Sequence, residues 1–231
     1  MNFFKYICIS IFPILMVGCA SMEMTTKSEA YPLMYGDLKP LSIIIAPAIN
    51  ESTAADAGEF INVTINQPFS DHGYYILPIP IVREIFQNEG ITDGAQLKGT
   101  PTNVFKNSFG ADAVLFITIT GWDRSYVVLA GNVTVALEYV LLSTTTNEIL
   151  WSYSREVVVD TSSSSGNLIV DLISTAINTA ALDYIPVAMA VNNQAITAFP
   201  YGGYHPRSGE DSDEKSVFVQ AKDAPLLLPI D

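Results

Sequence analysis

Cysteine is nearly absent from this sequence: the 231 residues hold two, Cys8 and Cys19, and none follows. A body without cysteine forms no internal disulfide and no thiolate metal cluster, so packing alone must hold it together. Histidine is as scarce, with His72 and His205 alone, which leaves little for a zinc site. Basic residues are few and scattered, 11 Lys and Arg against 24 Asp and Glu, for a net charge of −13. Without a Lys/Arg cluster there is no track for a nucleic-acid backbone and no polybasic patch for an anionic membrane. No apolar run in the body reaches the ~20 uninterrupted residues of a membrane-spanning helix. The glycines at 121, 131 and 202–203 build no phosphate-binding loop, and no internal repeat is visible. What is present is a globular composition, 49% hydrophobic and 15% charged, in a chain long enough for one domain with its own core.

The first nineteen residues read MNFFKYICISIFPILMVGC. Lys5 gives a weakly positive start, and an apolar run of about a dozen residues follows, the length of a signal-peptide core rather than of a permanent span. The run ends Leu15-Met16-Val17-Gly18-Cys19, which resembles the lipobox of bacterial lipoproteins, with Met16 where that pattern prefers leucine. The resemblance implies cleavage between Gly18 and Cys19 and fatty-acyl (palmitate-type) modification of Cys19. Several acyl chains on one residue anchor stably where a single chain is marginal. Ala20 stands where an aspartate would retain a lipoprotein on the inner membrane, so the resemblance implies the outer membrane, facing the periplasm or, alternatively, the cell surface. Residues 1–18 thus read as a signal peptide. Residues 19–39 show no sustained apolar period and read as a lipidated tether.

The body, residues 40–199, alternates strand and helix signals. Residues 41–48 (LSIIIAPA) form a continuous β-branched run, the mark of a strand buried on both faces, with Pro47 at its end. Thr53 to Asp56 suggests a capping box. The stretch 58–69 suits either a helix or a strand and is assigned helix, bent or ended by Pro68. A strand over 74–79 leads into a helix with Pro80 in its first turn and Ile81, Val82, Ile85 and Phe86 on one face, stopped by Gly90. A short helix after Pro101 carries Phe105 and Phe109 and stops at Gly110. Residues 113–120, 125–142 and 149–159 then read as an antiparallel three-strand meander, with a turn at 121–123 and a bulge at 130–131. Residues 168–184 carry a helical apolar stripe from Leu168 to Ala180, the mark of a long C-terminal amphipathic helix. The fold class that follows is α/β, a single domain with a mixed β-sheet covered by helices. Residues 200–231, acidic and rich in Gly and Pro, read as a largely disordered tail.

The phrases SIIIAPAIN (42–50), GYYILPIPIVREIF (73–86), FGADAVLFITI (109–119) and ILWSYS (149–154), in this order after a lipobox, resemble a family of proteobacterial lipoproteins first noticed as a neisserial surface antigen. The resemblance covers roughly residues 40–200. It implies a fold similar to the amino-terminal domain of the TolB protein. It also implies a partner similar to the curli secretion channel, and so a subunit of an envelope transport or export assembly. It carries no catalytic residues over.

Read from the residues alone, candidate chemistry is thin. Ser70-Asp71-His72 juxtaposes a nucleophile, an acid and an imidazole, but triad partners are assembled by the fold and not by adjacency; His72 before Gly73 reads as a helix terminus. Glu210, Asp211, Asp213 and Glu214 lack a calcium-loop pattern and read as a solvated charge run. Trp122, Tyr126, Trp151 and Tyr153 are the residues that a stand-alone ligand- or peptidoglycan-binding lipoprotein would use, and fit a core or an interface better. The expectation is a non-enzymatic protein without cofactor, tethered to the membrane through Cys19.

Overall fold

In the computed structural model, residues 25–127, 130–160 and 184–215 are described. Six strands form one mixed sheet in the order β3-β1-β4-β5-β6, with β2 beside β4. β1 (Ser42–Ile45) and β2 (Ile49–Asn50) are two pieces of one broken strand, both parallel to β4 (Ala113–Val127). The break falls at Pro47, which has no N–H to give to a ladder. β3 (Tyr75–Ile76) pairs parallel on the other side of β1. β5 (Ala130–Ser143) and β6 (Ile149–Asp160) complete an antiparallel meander with β4. Beyond β2, the three long strands run on as an arm.

Alternation along the strands separates two cores. Ile43 and Ile45 of β1, with Leu115, Ile117, Tyr139 and Trp151, face α2 (Ala57–Thr64), α3 (Asn66–Asp71) and α6 (Ile185–Ile196). Ile44, Val114, Phe116 and Val140 face α4 (Ile79–Asn88) and α5 (Asn103–Phe109). In the larger core, the fully buried Asn192 of α6 joins three elements. It accepts from the Tyr139 hydroxyl at 2.7 Å and donates to Thr64 Oγ1 at 2.8 Å. A buried amide is tolerated where its bonds are met in this way.

Several local expectations change. The helix over 58–69 is two helices parted at Ile65. Pro68 cannot donate to the Thr64 carbonyl and its ring crowds it, so the break comes one turn before the proline. Asp56, not Thr53, precedes α2, and it makes no side-chain cap. The strand expected over 74–79 shortens to two residues because Pro78 and Pro80 start α4 early. On α4, Val82 and Phe86 are buried, whereas Ile81 and Ile85 are 56% and 42% exposed. Gly121 is not a turn: β4 continues through it with a register shift between Ile119 and Gly121, against Ala136. β4 and β5 stay paired out to Val127 and Ala130. Gly110 ends α5 in the left-handed region at φ 73°, as its position after Phe109 implies. The amphipathic helix over 168–184 lies outside the described residues except for Tyr184, which precedes α6.

The chain ends of the body also differ from expectation. Residues 25–39, expected as tether, contain α1 (Lys27–Ala30) with a full capping box from Thr26 and Glu29, and they bury Tyr31 and Met34. Residues 200–215, expected as disordered tail, fold back as successive turns. Gly202 and Tyr204 donate to the carbonyls of His72 and Gly73, at 2.8 and 3.1 Å.

Candidate functional site

The strand order creates one crevice. β1 is followed by α2 on one face of the sheet, and β3, its neighbour, by α4 on the other. The chain therefore parts at the carboxyl ends of β1 and β3, the place where open α/β sheets bind ligands. A cleft of about 160 Å³ sits there. Its floor is the β1–β2 link, and its walls are the first turns of α2, the length of α4 and the loop 91–93. Gly58 of α2 faces Ala48 with room for a Cβ, whereas Gly94 leaves no room for a side chain against the Pro47 carbonyl. Ile79, Val82, Phe86 and Ile91 line the cleft, but with Asn50, Asn62, Gln87 and Asp93 beside them its exposed lining is more polar than apolar. Arg83 of α4 reaches Glu59 of α2 with both terminal guanidinium nitrogens, Nη1 at 2.6 Å, and so straps the two walls together. Both side chains are about half exposed, so the strap is worth at most ~1 kcal/mol and can open. Neither residue is marked by a local sequence signal, because they stand 24 positions apart.

At the opposite end, where β1 and β4 begin, the two chain ends of the body meet. The Lys27 ammonium, 3% exposed, contacts Asp211 at 3.3 Å and Glu214 at 3.1 Å and lies over the Tyr201 ring. Asp211 is fully buried and also accepts from the Tyr201 N–H at 2.9 Å. Thr26 pairs with Lys215, and Lys27 and Ser28 donate to the carbonyls of Glu214 and Ser212. The acidic run is therefore not wholly solvated: Asp211 is the counter-ion of a buried lysine, while Glu210 and Asp213 are exposed.

His72 and His205 both pack on Tyr201, at 4.6 and 3.9 Å between ring centroids, with His205 stacked on it and the two imidazoles 6.0 Å apart. His72 Nε2 is 2.8 Å from the Phe199 carbonyl, and its neighbour Ser70 contacts Asn66, so Ser70, Asp71 and His72 are not assembled into a triad. Burial lowers the His72 titration below the ordinary imidazole value; the Lys27 and His205 charges act the same way, against the Phe199 bond and Asp211. Burial, with the Asp211 charge, raises the titration of the Tyr35 phenol. These groups flank the clasp, the junction of residues 25–31 with residues 200–215 that Lys27 and Asp211 hold together. Among the described residues, no group of three or more His, Cys, Asp or Glu could hold a metal ion. Trp122, Trp151 and Tyr153 are core residues, each at most 3% exposed; the Tyr126 side chain, Gly18 and Cys19 fall outside the description.

Comparison with known proteins agrees with this fold. Residues 33–199 match the family described as "Putative lipoprotein GNA1162-like". The "Putative lipoprotein NMB1124/NMB1162" of Neisseria meningitidis is 31% identical over 147 residues, 64% of this chain and 68% of that one. The crystal structure of lipoprotein GNA1162 from Neisseria meningitidis superposes with a TM-score of 0.52 at 30% identity, over 62% of this chain and all of that one. The PelC dodecamer subunit from Paraburkholderia phytofirmans aligns with a TM-score of 0.41 at 14% identity, over 68% of this chain and 86% of that one. By the extent of the family match and the neisserial identity, this chain belongs to the GNA1162-like lipoprotein family.

Proposed function

We propose that the protein is a lipid-anchored, non-enzymatic subunit of an envelope assembly, tethered through Cys19 to the outer membrane with its body in the periplasm. The observation that carries this reading is the size of the switch-point crevice. Sites for small molecules and cofactors usually enclose ~300–1,000 Å³. At about 160 Å³ this one is nearer to a cavity that admits a single benzene ring. A cleft of that size, with a largely polar lining and a charged strap at its rim, suits one anchor side chain with a polar tip from a protein partner, the usual centre of an interface. Membership of a lipoprotein family supports the envelope location. The resemblance to lipoproteins that accompany a curli-secretion-channel-like protein makes an outer-membrane channel lipoprotein the first partner to seek.

Gly58→Leu tests the proposal. Gly58 lines the crevice and its added Cβ would meet Ala48 only at 3.6 Å, so the helix gains propensity while the side chain occupies the cleft. A photo-crosslinker at Gln87, on the rim, should join the wild type to a channel-type envelope protein, and Gly58→Leu should abolish that adduct without lowering stability. Unchanged adducts, or a wild type recovered alone at monomer size, would sink the reading. Co-sedimentation of the wild type with purified sacculi, lost on Gly58→Leu, would support a peptidoglycan binder instead.

A further inference from the structure

The clasp has a geometric consequence for a chain held at Cys19. The first described residue, Thr25, already bonds to Glu29, and Thr26 is paired with Lys215. For a lipid carried on Cys19, no more than residues 19–25 separate the anchor from the described body, and six residues of chain reach at most roughly 20 Å. This short lead enters the body at its clasp end, next to Phe199, Tyr201 and Asp211. The same end holds the beginnings of the parallel strands, since Gly202 and Tyr204 bond just ahead of β3 and Asp112 bonds Ser42 at the start of β1. From that level β4 climbs fifteen residues, from Ala113 to Val127, or roughly 45 Å at ~3.3 Å per residue. The crevice opens above it, beside Ala46 to Ala48, and the arm extends farther still.

We infer that the clasp sets the orientation of the protein on its membrane: the end built from residues 25–31 and 200–215 faces the lipid headgroups at close range, and the crevice and the β4-β5-β6 arm face away, towards a partner standing off the bilayer. This rests on lipid attachment at Cys19. Charge does not choose between the two ends. The net charge is −13, and Asp123 and Glu156 on the arm are exposed, so an arm lying flat on anionic lipid is repelled within a Debye length. The near end is acidic as well, with Glu29, Glu210 and Asp213 exposed. It is held there by its tether and does not adsorb. The clasp matters because the buried Lys27–Asp211 contact keeps residues 25–31 on the body. Were they free, the lead would lengthen and the orientation would be lost.

The full-length, lipidated protein, purified from membranes and reconstituted in vesicles with an acceptor dye on the headgroups, provides the test. Donor dyes are placed one at a time through a bioorthogonal amino acid at Asp213, Asp123 and Val158, all exposed. Asp123 and Val158 lie ten residues up the sheet from the Ala113 level, so energy transfer from Asp213 should exceed theirs by on the order of twofold or more, given a separation of roughly 30 Å. Inserting a flexible linker of about 20 residues between Met24 and Thr25 should lower the Asp213 signal and erase the difference. Equal transfer from all three sites in the wild type, or a gradient indifferent to the linker, overturns the orientation while leaving the anchor intact. Wild-type protein that carries no fatty acid by mass spectrometry and fails to float with vesicles overturns the anchor and the orientation together.

Discussion

Replacing Asn192 by leucine isolates the polar knot in the main core. Asn192 is fully buried, and its amide bonds to the Tyr139 hydroxyl, Thr64 Oγ1 and, at 3.4 Å, the Ile61 carbonyl. Leucine has a similar size, so little cavity is left, but Tyr139 keeps a hydroxyl with no acceptor. Thr64 loses less, because its own hydroxyl still donates to the Phe60 carbonyl at 2.7 Å. Stranding one buried hydroxyl costs ~1–3 kcal/mol, and the lost amide bonds add to it, so about 2–3 kcal/mol is expected. That corresponds to a melting temperature roughly 5–10 °C lower for a domain of this size. Tyr139→Phe alone should cost about 1–2 kcal/mol, since it strands only the amide oxygen. The double variant removes both ends of the bond, so it should be more stable than the sum of the singles by about 1–2 kcal/mol. Urea unfolding at pH 7 of the body beginning at Ala20 reads all four proteins. If the two substitutions add to within about 0.5 kcal/mol, the residues do not share a bond and the network is wrong.

Three further outcomes follow from the clasp and the anchor. Lys27→Met leaves the buried Asp211 carboxylate without its main counter-ion and should cost ~3–5 kcal/mol, most of it regained when Asp211→Leu is added; urea unfolding of the single and double variants checks it. His72 titrates below its unfolded value of 6.5, chiefly through burial, so its neutral form contributes stability that is full above that pH and lost as pH falls through the lowered folded value. Unfolding midpoints measured between pH 7.5 and 5 should therefore fall on acidification, and His72→Gln should flatten that slope. Cys19→Ser should abolish fatty-acid labelling and leave uncleaved precursor, whereas the body exported behind a cleavable non-lipoprotein signal should be folded and soluble; a wild type that takes up no label would falsify the lipoprotein anchor.

The parts of this fold legible in the sequence are those set by short-range periodicity. The Ile43-Ile44-Ile45 run reads as doubly buried because both faces of β1 are covered, and the alternation from Val133 to Leu141 reads as a sheet with one inward row. Element ends were less legible where two local signals compete. Pro68 acts on the carbonyl four residues earlier, and Gly121 serves a bulge where composition suggests a turn. Least legible was what depends on distant pairing. Nothing in a Gly- and Pro-containing acidic stretch reveals that one of its carboxylates neutralises a lysine near the other end of the body, so Asp211 looked solvated and residues 200–215 looked disordered. The crevice was hidden for a related reason: it exists only because consecutive crossovers leave the sheet on opposite faces.

The clasp also orders events in time. Lys27 and Asp211 are 184 positions apart, so the amino-terminal segment is made, and under the reading proposed above exported, long before its counterpart. Until the last part of the body arrives, Lys27 stays hydrated and Tyr31 and Met34 lack part of their final surroundings. Closing so long a loop carries an entropic cost that is met only once the intervening sheet has brought its ends together. Locking of the amino-terminal segment is thus a report that the whole body has been delivered. A chain stalled or clipped before residue 211 would present an unlatched amino-terminal segment, a ready substrate for quality-control proteases.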